Sequence, residues 1–158
     1  FGIWMRLLSK VEGSVLWLME SNKRAKQNLK QQAEILGING KRIIFAERLP
    51  QAEHLARHRL ADLFLDTFNY NAHTTASDAL WAGLPVVTKA GDGFAARVAG
   101  SLLNAIGLPE LVTTTEQDYE KLIRPGEFKD EIKIKSEGNS IPMMGLTFGL
   151  DPLLKNDD

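Results

Sequence analysis

The sequence predicts an α/β fold, a Rossmann-like parallel sheet with helices on both faces. Three observations carry this. Short apolar runs of four to eight residues alternate with longer segments of helical period, the pattern of a sheet buried on both sides. The breaks between them hold the Gly, Pro, Thr and Asn residues that stop helices and start loops. The bulk composition, 44% hydrophobic and 25% charged over 158 residues, supports one domain with a real core.

The elements follow in order. FGIWMRLLSKVEG places Ile3, Trp4, Leu7, Leu8 and Val11 at helical spacing. SVLWLM, Ser14 to Met19, reads as a buried strand, and the Lys-, Gln- and Ala-rich segment Ser21 to Leu36 as a helix stopped by Gly37. RIIFAERL, Arg42 to Leu49, is a second strand. Pro50 opens a short helix, PQAEHLARHR, at the position where proline is tolerated. A third strand covers about Asp62 to Leu65, and the polar loop DTFNYNAH leads to a helix from about Thr74 to Ala82 and a strand at Leu84 to Thr88. After KAGDG, a helix from about Phe94 to Ile106 stops at Gly107. Leu111 and Val112 form a last short strand before a TTEQDYEKL helix with Thr115 as its cap. Residues 1–123 therefore read as one lobe. From Arg124 to Asp158 no period is sustained, and that segment is expected to be a divergent, disordered tail with one short strand at Glu131 to Ile134.

Composition removes several classes of function. A net charge of -1 gives no electrostatic footing for nucleic acid or an anionic membrane surface. No apolar run approaches the ~20 residues that span a bilayer. Without cysteine there is no disulfide framework or thiolate metal site, which fits a cytoplasmic protein, the compartment expected here. No clustered His, Asp or Glu spacing points to a metal. Trp4, Trp17 and Trp81 read as core residues.

In an open parallel sheet, ligands bind beyond the carboxyl ends of the strands. Four loops leave the predicted sheet there: the one after Met19, ERLPQAEH, DTFNYNAHTTASD and TKAGDGFAAR. The third is the richest. His73, Thr74 and Thr75 stand where a helix begins, and a helix start offers unpaired N–H groups and the positive end of a dipole to an anion. Asp78, about one turn on, can accept two hydrogen bonds from a ribose diol. The same residues also fit an ordinary helix start, with Thr74 as N-cap and Ser77 and Asp78 as first-turn polar groups. His54 lies in a helix opening at the same edge, with Arg57 on its face. That pair can meet a base and an anion, or it can be a solvated helix face, as His58 beside it reads. KAGDG lacks dinucleotide-binding spacing, and Lys89 and Arg97 read as surface charges or ion-pair partners.

The stretches SVLWLM and RIIFAERLPQAEHLARHRLADLFLDTFNYNAHTTASDALWAGLPVVTKAGDGFAARVAGSLLNAIGLPELV closely resemble the C-terminal catalytic lobe of the O-linked N-acetylglucosamine transferase family, a group that also includes the plant SPINDLY proteins. LDT, a short loop, HTT, Asp78 and LWAGLPVVT are its most specific elements. The resemblance implies a GT-B architecture of two Rossmann-like lobes, with the nucleotide sugar held mainly by the lobe seen here. It implies that His73, Thr74 and Thr75 bind the diphosphate and stabilise it as a leaving group. It further implies that Asp78 holds the ribose, and that His54, Arg57 and the backbone at Leu49 and Pro50 border the base. Gln51 stands where animal members carry a lysine near the base.

The implied reaction is inverting transfer of N-acetylglucosamine from a UDP-sugar to Ser or Thr of acceptor proteins, with no metal and no further cofactor. The rival readings are fucose from a guanosine diphosphate donor, glucose onto asparagine, or an isolated lobe that binds nucleotide without turnover. A lysine that acts on the departing diphosphate belongs, in the family, upstream of the position matching Phe1. The N-terminal catalytic lobe and the tetratricopeptide repeats usual in such proteins likewise lie outside this sequence, so activity is expected of a longer parent rather than of this chain alone. No general base stands out among these residues.

Overall fold

A computed structural model describes residues 1–124 and 143–145. Its sheet is parallel throughout, and the elements run α1 (Gly2–Lys10), β1 (Val15–Met19), α2 (Lys23–Ile35), β2 (Ile43–Ala46), α3 (Gln51–Arg57), β3 (Leu63–Leu65), α4 (Thr74–Trp81), β4 (Val86–Lys89), α5 (Val98–Ala105), β5 (Val112–Thr113), α6 (Glu116–Leu122) and β6 (Met143–Gly145). The strand order is β2-β1-β6-β3-β4-β5. Successive residues of a strand face opposite sides of the sheet. Leu63, Phe64 and Leu65 are all buried, as are Val86, Val87 and Thr88, so the middle of the sheet is covered on both faces. This is the α/β, Rossmann-like arrangement that the alternating pattern predicts.

Most predicted elements are present, with shorter bounds. β2 ends at Ala46 rather than Leu49, which frees 47–50 to form the loop into α3. The predicted helix at Phe94 to Ile106 is broken. A 3-10 turn, Phe94–Ala96, precedes α5, because Arg97 has a non-helical backbone (φ −128°). Gly37 and Gly107 stop helices at φ 80° and 79°, the left-handed conformation such stops use. Thr115 caps α6, its hydroxyl accepting from the Asp118 N–H at 3.0 Å. Trp81 is not core: it is 86% exposed. Helical geometry puts it on the opposite side of α4 from Ala76 and Ala79, which face the sheet. β6 lies between β1 and β3, and the sequence assigns no element to Met143–Gly145 because three residues are too few for a period to register. The strand predicted at Glu131 to Ile134 lies outside the described residues.

The core runs from α1 (Trp4, Met5, Leu7, Leu8) through β1 and β3 to β4, and closes on Leu103, Leu111 and Tyr119. One side chain locks its amino-terminal corner. The Arg42 guanidinium donates to the carbonyls of Leu8, Val11 and Ser14 and to Ser14 Oγ, all at 2.8–2.9 Å. It thereby satisfies the carbonyls left open where α1 ends. A lysine has no planar fork with which to reach all four acceptors. Arg42→Lys is therefore expected to lower stability by about 1–3 kcal/mol in urea denaturation with the slope unchanged; an unaltered midpoint would show that the corner holds without the fork.

Candidate functional site

The chain leaves β3 at Asp66, makes the loop 67–73 and enters α4. α4 begins with His73 in the N-cap position, and no side chain caps it. The alternative of Thr74 as the cap is thus not adopted: Thr74 is the first helical residue and is exposed. With no side-chain oxygen on them, the first-turn N–H groups keep their capacity for a ligand. Thr75 and Asp78 are half-buried along the same helix.

His73 is held between aromatic rings. Tyr70 stacks on it at 4.8 Å between centroids, and Phe94 meets it edge-on at 6.1 Å. Its Nε2 is buried and has no hydrogen-bond partner. Tyr70 and Phe94 are 64% and 83% exposed, an apolar rim that sequence reasoning missed because Tyr70 lies in an aperiodic loop and Phe94 reads as the first residue of a helix.

The loop after β4 joins this one. The Gly91 N–H donates to the Ala96 carbonyl at 2.9 Å, and the Asn71 N–H donates to the Ala95 carbonyl at 2.8 Å. A Cβ on Gly91 would lie 2.7 Å from the Ala96 Cβ, so the KAGDG glycine serves a close approach of the chain to itself. Lys89 lies over the Phe68 ring at 4.9 Å, and Phe68 packs edge-on against Tyr119 at 4.9 Å.

The second group sits on α3. Leu49, Pro50 and Gln51 are exposed at its start, with Leu49 at 40%. Arg57 reaches back across the helix, donating to the Glu47 carbonyl at 2.6 Å and to His54 Nδ1 at 2.7 Å, while its guanidinium lies 5.5 Å from the Trp17 ring. A guanidinium can only donate, so His54 Nδ1 accepts and the neutral ring carries its proton on Nε2. His54 is thereby oriented by Arg57, which holds the Glu47 carbonyl with a second donor. Burial, then His58, then Arg57 push the His54 imidazole below its ordinary value, while Asp78 acts the other way.

His58 is a correction. It is buried, 4% exposed, where the sequence reading has a solvated face. Its Nδ1–H donates to the His54 carbonyl at 2.8 Å, and its ring meets that of His54 edge-on at 4.7 Å. Helical period alone could not show that α3 turns this side inward through a 3-10 turn, His58–Leu60.

Asp66 is the other buried titratable group at this edge. Burial pushes its carboxyl up to about 6, against the hydrogen bonds from Thr88, Ala72 and Thr67 and the nearby His73, which pull it down. Among the described residues no cluster of three or more His, Cys, Asp or Glu could hold a metal. No helix among them is long and apolar enough to cross a membrane.

The parallel sheet, with its loops gathered at the carboxyl edge, defines a Rossmann-like α/β lobe. The chain belongs to glycosyl transferase family 41, whose profile it matches over residues 1–136. It is 37% identical to the UDP-N-acetylglucosamine--peptide N-acetylglucosaminyltransferase of Caenorhabditis elegans, over 82% of this chain and 11% of that protein. It is 34% identical to the probable UDP-N-acetylglucosamine--peptide N-acetylglucosaminyltransferase SPINDLY of Arabidopsis thaliana, over 76% of this chain and 14% of that protein. Among solved structures it resembles a mutant O-GlcNAc transferase from Thermobaculum terrenum, with a TM-score of 0.75 and 29% identity, covering 85% of this chain and 25% of the other. The chain thus spans a quarter or less of the length of these relatives.

The lowered His58 value has a consequence for stability. Burial is the largest cause and holds the ring below its ordinary 6.5 in the folded state. Protons bind the unfolded ring more readily, so its contribution is intact above 6.5 and is lost as pH falls through that value toward the lower folded one. His58→Phe, which keeps an aromatic ring there, is expected to flatten the fall in urea midpoint between about pH 7 and about pH 5.5. Parallel curves for the two proteins would assign the acid sensitivity to other groups.

Proposed function

We propose that this chain is the nucleotide-sugar-binding lobe of an inverting protein O-glycosyltransferase, which moves N-acetylglucosamine from a UDP-sugar to Ser or Thr hydroxyls of proteins. The carrying observation is the uncapped start of α4 at the carboxyl edge of the sheet, with His73, Thr74 and Thr75 gathered on it. The names of the relatives supply the donor and acceptor classes.

In this reading the diphosphate lies on the first turn of α4, within reach of the two threonine hydroxyls and of His73 Nε2, which lacks a partner. Asp78 accepts from the ribose diol. His54 offers its Nε2–H to the base, and Leu49, Pro50 and Gln51 wall the base pocket from the loop that Arg57 holds in place. The acceptor hydroxyl oxygen attacks the anomeric carbon from the face opposite the diphosphate and gives its proton to solvent or to a base outside this chain, the bond to the diphosphate oxygen breaks, and the configuration inverts. Negative charge grows on that departing oxygen. Preorganised N–H groups and hydroxyls aimed at developing charge stabilise it without reorganising, and such terms are often the largest in catalysis. The reaction then needs no metal and no cofactor beyond the donor. The acceptor-side residues and the second lobe belong to the longer parent, as do any tetratricopeptide repeats.

Titrating the chain with UDP tests this. His73→Ala and Thr75→Ala are each expected to weaken UDP binding by about 1–3 kcal/mol, the range for hydrogen bonds to charged groups. Unchanged affinity in both would sink the assignment. Asp78→Ala is expected to abolish the preference for UDP over its dideoxyribose analogue, whereas a parent chain with no such preference would contradict the ribose role. Tighter binding of guanosine than of uridine diphosphate would move the donor to the fucose class.

A further inference from the structure

Asp66 closes β3, and none of the roles above uses it. It is 1% exposed, and each of its contacts goes to a different piece of the carboxyl edge. Oδ1 accepts from the Thr67 N–H at 2.8 Å and from the Ala72 N–H at 2.7 Å. Oδ2 accepts from the Thr88 hydroxyl of β4 at 2.6 Å, and the Asp66 carbonyl accepts from the Tyr119 hydroxyl of α6 at 3.2 Å.

The first two bonds span the loop from its first residue to the one just before His73. A single oxygen atom therefore fixes both ends of the segment 67–72. The loop has its own internal bonds, from Asn71 Nδ2 to the Thr67 carbonyl at 2.6 Å and from the Thr67 hydroxyl to the Tyr70 carbonyl. Those set its shape, and the Asn71 N–H bond to the Ala95 carbonyl and the Phe68 contact with Tyr119 hold its middle. The Asp66 to Thr88 bond ties the start of the loop to the neighbouring strand. Because α4 has no side-chain cap, the position of its first-turn N–H groups follows the chain that enters it.

We propose that Asp66 is a positioning residue for diphosphate binding, its two carboxylate oxygens holding the loop 67–72 and hence the start of α4 in register with β4. The binding half of this rests on the reading of α4 as the diphosphate site, and the loop-holding half does not. The role depends on acceptor geometry rather than on charge. An asparagine in the same rotamer keeps one oxygen for the two N–H groups and turns its amide toward the Thr88 oxygen. Alanine loses all three bonds.

The test is amide hydrogen exchange on the chain and on its Asp66→Ala, Asp66→Asn and Thr88→Val variants, together with UDP titration. Asp66→Ala is expected to lose protection at Ala72 and at Ser77, whose N–H makes the first helical bond of α4 to the His73 carbonyl, while β1 and β2 keep theirs. Its UDP affinity should fall about 10- to 100-fold, the scale of a small misplacement of binding groups. Asp66→Asn should restore both protection and affinity. Thr88→Val, which removes only the Oδ2 bond, should fall between them, and it carries the test if the alanine variant does not fold. Unchanged protection at Ala72 in the alanine variant would overturn the proposal, as would protection lost evenly across the sheet or an asparagine variant as weak as alanine. If the parent chain binds no UDP, the diphosphate reading and the binding half fall together, and the exchange pattern separately decides whether Asp66 holds the loop.

Discussion

A carboxylate buried at the end of β3 is costly unless its oxygens are paired, and the edge of this sheet is arranged around that requirement. Asp66 is desolvated enough to raise its acid form to about 6, yet it accepts from two backbone N–H groups and a hydroxyl. Short bonds to oxygens fixed in this way set direction. The chain therefore leaves the core in one defined path. Without that compensation, the same loop would need its own regular structure or a cap on α4, and it has neither.

The neighbouring loops follow the same logic at lower cost. Arg57 satisfies the Glu47 carbonyl as β2 gives way to loop, and in doing so orients His54. Asn71 and Gly91 stitch the loops after β3 and β4 onto the turn Phe94–Ala96. In each case a backbone group leaving the sheet is paired by the residue that also places a candidate side chain. Shape and site arise from one set of bonds, because buried backbone groups cannot be left unpaired.

Much of this was legible in the sequence, for identifiable reasons. β1 and β3 are continuous apolar runs and β4 opens on one, the pattern expected of strands inside a sheet covered on both faces. Thr115 and Gly37 announce their helix ends through chemistry that any helix requires. HTT before an apolar helix signals a special start, although pattern alone could not separate a cap from an anion site; only coordinates show that no side chain caps the first turn. Hidden features depend on orientation. Trp81 looks like core until α4 is seen to bury only its small residues, and His58 looks solvated until a 3-10 turn rolls it inward. Asp66 stands in the conspicuous LDT, yet its partners lie six and 22 residues away, beyond the reach of local pattern.

The strand order explains why the two helix starts serve one edge. From β1 the chain steps outward to β2, and from β3 it steps the other way to β4 and β5, so connections diverge on either side of β6. A crevice opens at such a divergence beyond the carboxyl ends of the strands. α3 follows β2 on one flank and α4 follows β3 on the other. Glu20 follows β1 at the same carboxyl edge. Lys26 pairs with it at 3.1 Å, and the Glu20 N–H is taken by the Ala46 carbonyl at 2.8 Å. In the proposed reading, the attraction for an anion comes from the start of α4, where the field is directional and falls off within a turn.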